Sequence, residues 1–166
     1  MKVSDPIRKN LIIIELKDDI ELSKFHCESE ELNEFFLEKA RYNEKNLISK
    51  VYLYYNRKDK AVVGFITLSN YMLRLAEGKK FGIQKVPAAL IGRIAIADDY
   101  RGNNLGRDLI LFARGRCHYI KDFIGCRLLV VEVKKEDPIM KYLLSFGFEL
   151  LHQSKGFFIL GLDLLI

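Results

Sequence analysis

The sequence predicts an α/β (α+β) single domain with a central mixed sheet flanked by helices. Three observations predict it. Runs rich in β-branched and aromatic residues alternate with segments of helical period, in the order β-α-β-β-β-α-β-α-β-β. The chain has 166 residues, which suits one domain over 1–166 and leaves little room for a second. Hydrophobic residues make up 49% of it, enough for a substantial core. No internal repeat, low-complexity tract or Pro/Gly/Ser linker interrupts this order.

Each element has its own signal. Leu11–Leu16 reads as a first strand. Ser29 precedes Glu30 and Glu31, a serine cap with acids in the first turn. Leu32, Phe35, Phe36 and Ala40 then recur at helical spacing, predicting a helix over about residues 30–44. Val51–Tyr55 and Ala61–Leu68 read as a hairpin across 56–60, and the polar, basic segment 74–87 as an exposed loop. Ala88–Ala97 reads as a buried strand. Asn104–Phe123 carries Leu105, Leu109, Phe112, Ala113 and Ile120 on one helical face. Leu128–Val133 is a further strand, and Pro138–Ser145 a short helix opened by proline. Glu149–His152 and Phe157–Leu165 close the chain as a hairpin across 153–156.

The formal net charge is +5, which favours anionic partners such as nucleic acid or phosphorylated cofactors. Three cysteines, Cys27, Cys117 and Cys126, lack Cys-x-x-Cys spacing. They read as small hydrophobes rather than a disulfide framework or a zinc site. His26, His118 and His152 show no metal-ligand spacing either, so no metal is expected. The polar N-terminus lacks a signal-type apolar stretch, and the longest apolar runs, Leu11–Ile14 and Phe157–Ile166, are too short to span a bilayer. A cytoplasmic protein with no membrane contact is expected.

The most informative segment is Ile91–Gly106, IGRIAIADDYRGNNLG. A buried strand runs into a turn and a helix follows directly. Free N–H groups at a helix start, where the dipole is positive, form an anion site. Gly102 and Gly106 lack Cβ, so a pyrophosphate can approach the backbone; Asn104 tolerates the left-handed conformation; Arg101 and Arg107 add positive charge. The Gly-x-Gly of a Rossmann fingerprint and the Gly-Lys-Ser/Thr of a Walker loop are both missing here.

Arg101-Gly102-Asn103-Asn104-Leu105-Gly106 resembles the acetyl-CoA signature Arg/Gln-x-x-Gly-x-Gly/Ala of the GNAT N-acetyltransferases, with Asn104 in place of the first glycine. The element order and Phe146-Gly147-Phe148 also resemble that family, whose sheet is mixed and mostly antiparallel. Phe25-His26-Cys27 ahead of Leu32-Asn33, and Gly92-Arg93-Ile94-Ala95-Ile96 ahead of the turn, resemble the GNAT toxins of toxin–antitoxin modules, which acetylate aminoacyl-tRNA.

The resemblance implies an acetyl-CoA-dependent N-acetyltransferase. Ile94, Ala95 and Ile96 are then expected to line the pantetheine arm. Arg101, Gly102, Asn103, Asn104, Leu105, Gly106 and Arg107 are expected to hold the pyrophosphate. A backbone N–H near Ile94–Ile96 would stabilise the oxyanion. In the family a tyrosine protonates the leaving thiolate, four residues before the glycine of Gly-Phe. That position is Leu143 here, and Tyr142 precedes it. One residue of helix turns a side chain by roughly 100°, so Tyr142 either faces the thioester or is ordinary packing. Glu132 is the candidate base for the amine, or a solvated strand residue. An α-amine, with a pKa near 8, needs a base less than a lysine, near 10.4.

Arg41, Lys45 and Lys50, then Arg74, Lys79, Lys80 and Lys85, then Arg114 and Arg116, are candidate phosphate-tracking clusters for charged tRNA. The glutamates Glu28, Glu30, Glu31, Glu34 and Glu38 dilute them. Three readings stay open: an acetyltransferase acting on aminoacyl-tRNA, one acting on a small amine or protein, and a non-catalytic CoA- or RNA-binding module. An antitoxin protein and a second copy of the chain are the other partners the resemblance suggests.

Overall fold

The computed structural model describes residues 8–166; the polar stretch 1–7, part of the N-terminus read above, lies outside them. The strands are β1 (Leu11–Glu15), β2 (Lys50–Asn56), β3 (Ala61–Arg74), β4 (Lys85–Ile96), β5 (Leu128–Lys134), β6 (Glu149–Gln153) and β7 (Phe157–Asp163). Three helical stretches join them: α1 over 30–45, α2 (Leu105–Ile120) and α3 (Ile139–Ser145), with a 3-10 turn at Asp98–Tyr100. The fold is mixed α/β with a mostly antiparallel seven-stranded sheet in the order β1-β2-β3-β4-β5-β7-β6. β4 and β5 run parallel, with Ala88 opposite Leu128 through Ile91 opposite Val131. No helix among the described residues is long and apolar enough to cross a membrane.

The residues fall into two compact units. The first holds the described residues up to Leu68 together with Arg93–Ala113. Its core is an aromatic cluster: the Phe36 and Phe65 rings stack at 4.5 Å, and Phe25 meets them at 4.8 and 5.5 Å. α1 supplies Phe35, Phe36 and Ala40 to this core. Its middle turn, Phe35–Lys39, is a π-helix, closed by the Ala40 N–H donating to the Phe35 carbonyl. The extra residue in that turn keeps Phe35, Phe36 and Ala40 buried together, where the sequence predicted an unbroken α-helix. Ser29 caps the helix as expected, its Oγ accepting from the Leu32 N–H at 3.2 Å.

A second device holds the chain ahead of α1. Asn33 is buried, and its amide spans the Cys27 backbone. Its Oδ1 accepts from the Cys27 N–H at 2.8 Å, and its Nδ2 donates to the Cys27 carbonyl at 2.7 Å. This gives Phe25-His26-Cys27 and Leu32-Asn33 a structural reason to occur together. Phe25 and Cys27 enter the core because Asn33 satisfies the backbone between them and the helix.

The second unit holds Ser69–Gly92 and Arg114–Ile166. Leu73, Val86, Ala88, Leu128, Val130 and Ile159 form its core. Arg127 grips Asp163 with two bonds of 2.9 Å, and the Asp163 carboxylate also accepts from the Leu165 N–H. That is why β7 ends at Asp163 and not at Leu165. α3 ends as Gly147 takes φ +103, which returns the Phe148 N–H to the Leu143 carbonyl at 3.2 Å.

Two further strand limits lie well outside the reading above. β3 runs six residues past Leu68, to Arg74, because Leu73 is fully buried although its neighbours Met72 and Arg74 are exposed. β4 begins at Lys85 because Val86 is a core residue between a lysine and a proline. Both extensions carry polar residues on one face, and polar composition reads as loop.

Replacing Asn33 with alanine strands two buried backbone groups, so a loss of about 2–4 kcal/mol in urea unfolding is expected. Asn33→Asp keeps the acceptor but sets a buried carboxylate oxygen against the Cys27 carbonyl, and is expected to lose at least as much.

Candidate active site

The site begins with a left-handed turn. β4 passes through Ile94, Ala95 and Ile96, enters the Asp98–Tyr100 turn and reaches Arg101. Gly102 sits at φ +80 and Asn104 at φ +61, and α2 starts at the next residue. The Asn104 carbonyl accepts from the Asp108 N–H at 3.4 Å, so Asn104 occupies the cap position of α2. The first-turn N–H groups of Leu105, Gly106 and Arg107 point out along the axis as at any helix start. A Cβ added at Gly102 or Gly106 would meet nothing within 4 Å, so the space in front of these backbones is open. That is the cradle a diphosphate needs. Asn103 stiffens it, its Nδ2 donating to the Tyr100 and Arg101 carbonyls at 3.0 and 3.2 Å.

The start of α2 is pinned from behind. Asp108 Oδ2 accepts from the Tyr54 hydroxyl at 2.9 Å and from Arg8 Nη2 at 3.0 Å. Arg8 also donates to the Asn103 carbonyl at 3.3 Å. Burial, then the Asp108 carboxylate, push the Tyr54 phenol up to about 12. The sequence reading missed Tyr54, Asp108 and Arg8, since their positions in three separate elements leave no local pattern. Arg101, expected to add free positive charge, pairs with Glu28. Both groups are more than half exposed, so the pair is weak and gives way readily to a stronger anion.

Behind Ala95 the packing is tight. A Cβ on Gly64 of β3 would stand 3.0 Å from the Ala95 carbonyl and 2.8 Å from the Ile96 side chain. Glycine at 64 therefore sets how close β3 approaches the segment 94–96. His26 Nδ1 lies 2.8 Å from Asp98 Oδ2, and the Asp98 N–H donates to the His26 carbonyl at 3.1 Å, tying this turn to the Phe25–Cys27 stretch. Arg93 lies 3.9 Å over the Phe35 ring, a cation–π contact that also escaped the sequence reading.

Glu132 lies on β5 opposite Ile159, exposed between the buried Val131 and Val133. The hydroxyl that meets it is Tyr71's, donating at 3.3 Å. Burial, then the Glu132 charge, push the Tyr71 phenol above its ordinary range. Tyr142 lies half-buried on α3, its ring 6.5 Å from that of Phe146. Leu143, at the position where the family pattern has tyrosine, is 1% exposed. The structure thus buries the leucine and leaves the tyrosine partly accessible.

The basic clusters are largely paired. Lys45 meets Asp18 at 3.3 Å, Lys79 meets Glu77 at 3.2 Å, Lys80 meets Glu149 at 2.6 Å, and Lys50 pairs with Glu44. Arg41 donates to the Lys17 and Ile20 carbonyls.

Two outcomes follow from the turn. Asn104→Val forces a β-branched residue to positive φ and is expected to cost about 1–2 kcal/mol in urea unfolding, while Asn104→Gly should stay within about 0.5 kcal/mol. Tyr54 keeps its proton in the folded chain above pH 10, where an unfolded phenol loses it. Its contribution is complete below about pH 10 and is lost as pH rises towards 12. Unfolding midpoints at about pH 9 and about pH 11 are therefore expected to differ more in the wild type than in Tyr54→Phe.

The Acetyltransferase (GNAT) family matches residues 14–148. Among solved structures, a tyrosine-to-phenylalanine mutant of the AtaT toxin, bound to the C-terminus of the antitoxin AtaR and acetyl-CoA, is similar to this chain. It has 25% identity and a TM-score of 0.81, over 93% of this chain and 94% of that one. AtaT complexed with acetyl-methionyl-tRNAfMet is 24% identical with a TM-score of 0.79, over 90% and 93%. A tyrosine-to-phenylalanine mutant of KacT is 22% identical with a TM-score of 0.83, over 93% and 95%. The strand, left-handed turn and helix described above lie within the matched residues, and the chain belongs to the GNAT family of N-acetyltransferases.

Proposed function

We propose that this chain, as one domain, takes the acetyl group of acetyl-CoA and transfers it to the amino group of aminoacyl-tRNA. The observation that carries the cofactor half is the open, left-handed turn at Gly102 and Asn104 in front of α2. The acceptor half rests on the likeness to AtaT, which is complexed in one structure with acetyl-methionyl-tRNAfMet. In this reading the N–H groups of residues 102–107 hold the diphosphate and Arg101 exchanges Glu28 for a phosphate oxygen. The backbone of Ile94, Ala95 and Ile96 receives the pantetheine arm, and an N–H there stabilises the oxyanion. Tyr142 supplies a proton to the leaving thiolate. Its accessibility beside a buried Leu143 supports that role over packing. Glu132 takes a proton from the attacking amine, with the Tyr71 hydroxyl orienting its carboxylate. By the same likeness, an antitoxin protein is a partner and the chain acts in the cytoplasm; AtaT is seen bound to the C-terminus of AtaR.

A second reading, acetylation of a small amine or a protein amine, is favoured by the pairing of Lys45, Lys50, Lys79 and Lys80 with acids, which weakens a surface for tracking RNA phosphates.

Thiol release from acetyl-CoA, followed with charged tRNA, uncharged tRNA and free amino acids, separates the two. Turnover that requires the charged tRNA supports the first reading, and turnover on free amines alone supports the second. Tyr142→Phe is expected to lower kcat by about 10²-fold with little change in KM for acetyl-CoA. An unchanged kcat would return Tyr142 to packing. Glu132→Gln should slow the reaction most below the amine's pKa of about 8 and be partly rescued at higher pH.

A further inference from the structure

The second unit holds a cavity of about 260 Å³ at one end of its strands. Leu128 opens β5, Glu149 opens β6 and Asp163 ends β7, and all three line it. At a strand rise of about 3.3 Å per residue, Leu128 stands about 13 Å along β5 from Glu132. The cavity is therefore a different place from the candidate base.

Phe81, Leu128, Leu151 and Leu162 give it apolar walls. Those walls are held in place. Leu151 lies against the Gly161 backbone so closely that a Cβ there would overlap it. The Phe81 ring is covered by the Arg127 guanidinium, 5.1 Å from its centre. Arg127 in turn holds Asp163 through two bonds of 2.9 Å. A dry cavity of about 150 Å³ already admits benzene, so this one has room for an aromatic ring and a short chain.

The charges around the cavity do not balance. Glu149 accepts from Lys80 at 2.6 Å, and Asp163 turns both of its oxygens to Arg127. Both acids of the lining are thus taken. Arg114 reaches the lining from α2 and is half-buried. Among the described residues it has neither a hydrogen bond nor an ion pair. Lys80, Arg114 and Arg127 set against Glu149 and Asp163 leave one positive charge, and it sits on Arg114.

We propose that this cavity binds a small apolar monocarboxylate, with its apolar body against Phe81, Leu128, Leu151 and Leu162 and its carboxylate on Arg114. Two carboxylate oxygens match the fork of a guanidinium, and the single charge cancels the one left over. A phosphate monoester fits worse. It brings nearly two negative charges and three oxygens that need donors, and the apolar walls offer none. A neutral apolar molecule would fill the space and leave Arg114 unpaired.

The test titrates 3-phenylpropionate into the ¹⁵N-labelled wild-type chain and follows the amide signals. Shifts are expected at Gly147 and Gly161, which border the cavity, saturating with a Kd on the order of 1 mM or tighter. The neutral 3-phenylpropanamide lacks the charge and is expected to bind about tenfold more weakly. Acetate lacks the apolar body and should bind more weakly still. Arg114→Gln should weaken 3-phenylpropionate about tenfold, and Arg114→Lys should restore part of the loss, since it keeps the charge without the fork. If Arg114→Gln does not fold, the comparison of acid with amide on the wild type decides alone. Equal binding of acid and amide, unchanged binding in a folded Arg114→Gln, shifts confined to Gly102 and Gly106 of the acetyl-CoA turn, or no shifts at all would overturn the proposal.

Discussion

The candidate site rests on how Asp108 is held. A carboxylate in the first turn of a helix is favoured by the helix dipole. Here it also collects the Tyr54 hydroxyl from β2 and the Arg8 guanidinium from ahead of β1. These bonds fix where α2 begins, and therefore where its first N–H groups point. The left-handed residues Gly102 and Asn104 can then turn the chain in front of them. Arg8 adds a bond to the Asn103 carbonyl, so one side chain steadies the turn and the helix start together. An anion site made of backbone depends on such support, because none of its binding groups has a side chain of its own to reposition it.

The same logic explains the chain ahead of α1. Phe25, Phe36 and Phe65 form the apolar anchor, but aromatic burial has no direction. Direction comes from the Asn33 amide across Cys27 and from Asp98, whose carboxylate meets His26 and whose N–H meets the His26 carbonyl. The Phe25–Cys27 segment is thereby joined to α1 on one side and to the Asp98–Tyr100 turn on the other. Residues that resemble a toxin signature therefore have a packing role that any acceptor would leave intact. That is why their presence says less about the substrate than about the scaffold.

Much of this was legible in the sequence, and the illegible parts have physical reasons. Ser29 announced the start of α1 by its chemistry, and Gly102 and Asn104 announced a turn, because both signals are local. The π-turn at Phe35–Lys39 was hidden because Phe35, Phe36 and Ala40 fit a 3.6-residue period nearly as well as a wider one. β3 beyond Leu68 and β4 before Ala88 were hidden because one face of each is polar. The support for Glu132 from Tyr71, and for Asp108 from Tyr54, depends on pairs 61 and 54 residues apart, and nothing in composition or period reports such pairs.

The question left open by the family pattern was whether Leu143 or Tyr142 takes the tyrosine's place. Helix geometry constrains the answer. Two adjacent positions on α3 differ by roughly 100°, so they cannot share a face. A short helix with one buried side must choose, and the hydrophobic effect favours leucine for the buried position. Leu143 is 1% exposed, and its carbonyl also accepts the Phe148 N–H that closes the helix. Moving Tyr142 into that position would bury a phenol hydroxyl and rotate the Phe146-Gly147-Phe148 ending with it. The register of α3 is therefore set by its exit into β6, and Tyr142 stays partly exposed because Leu143 occupies the core.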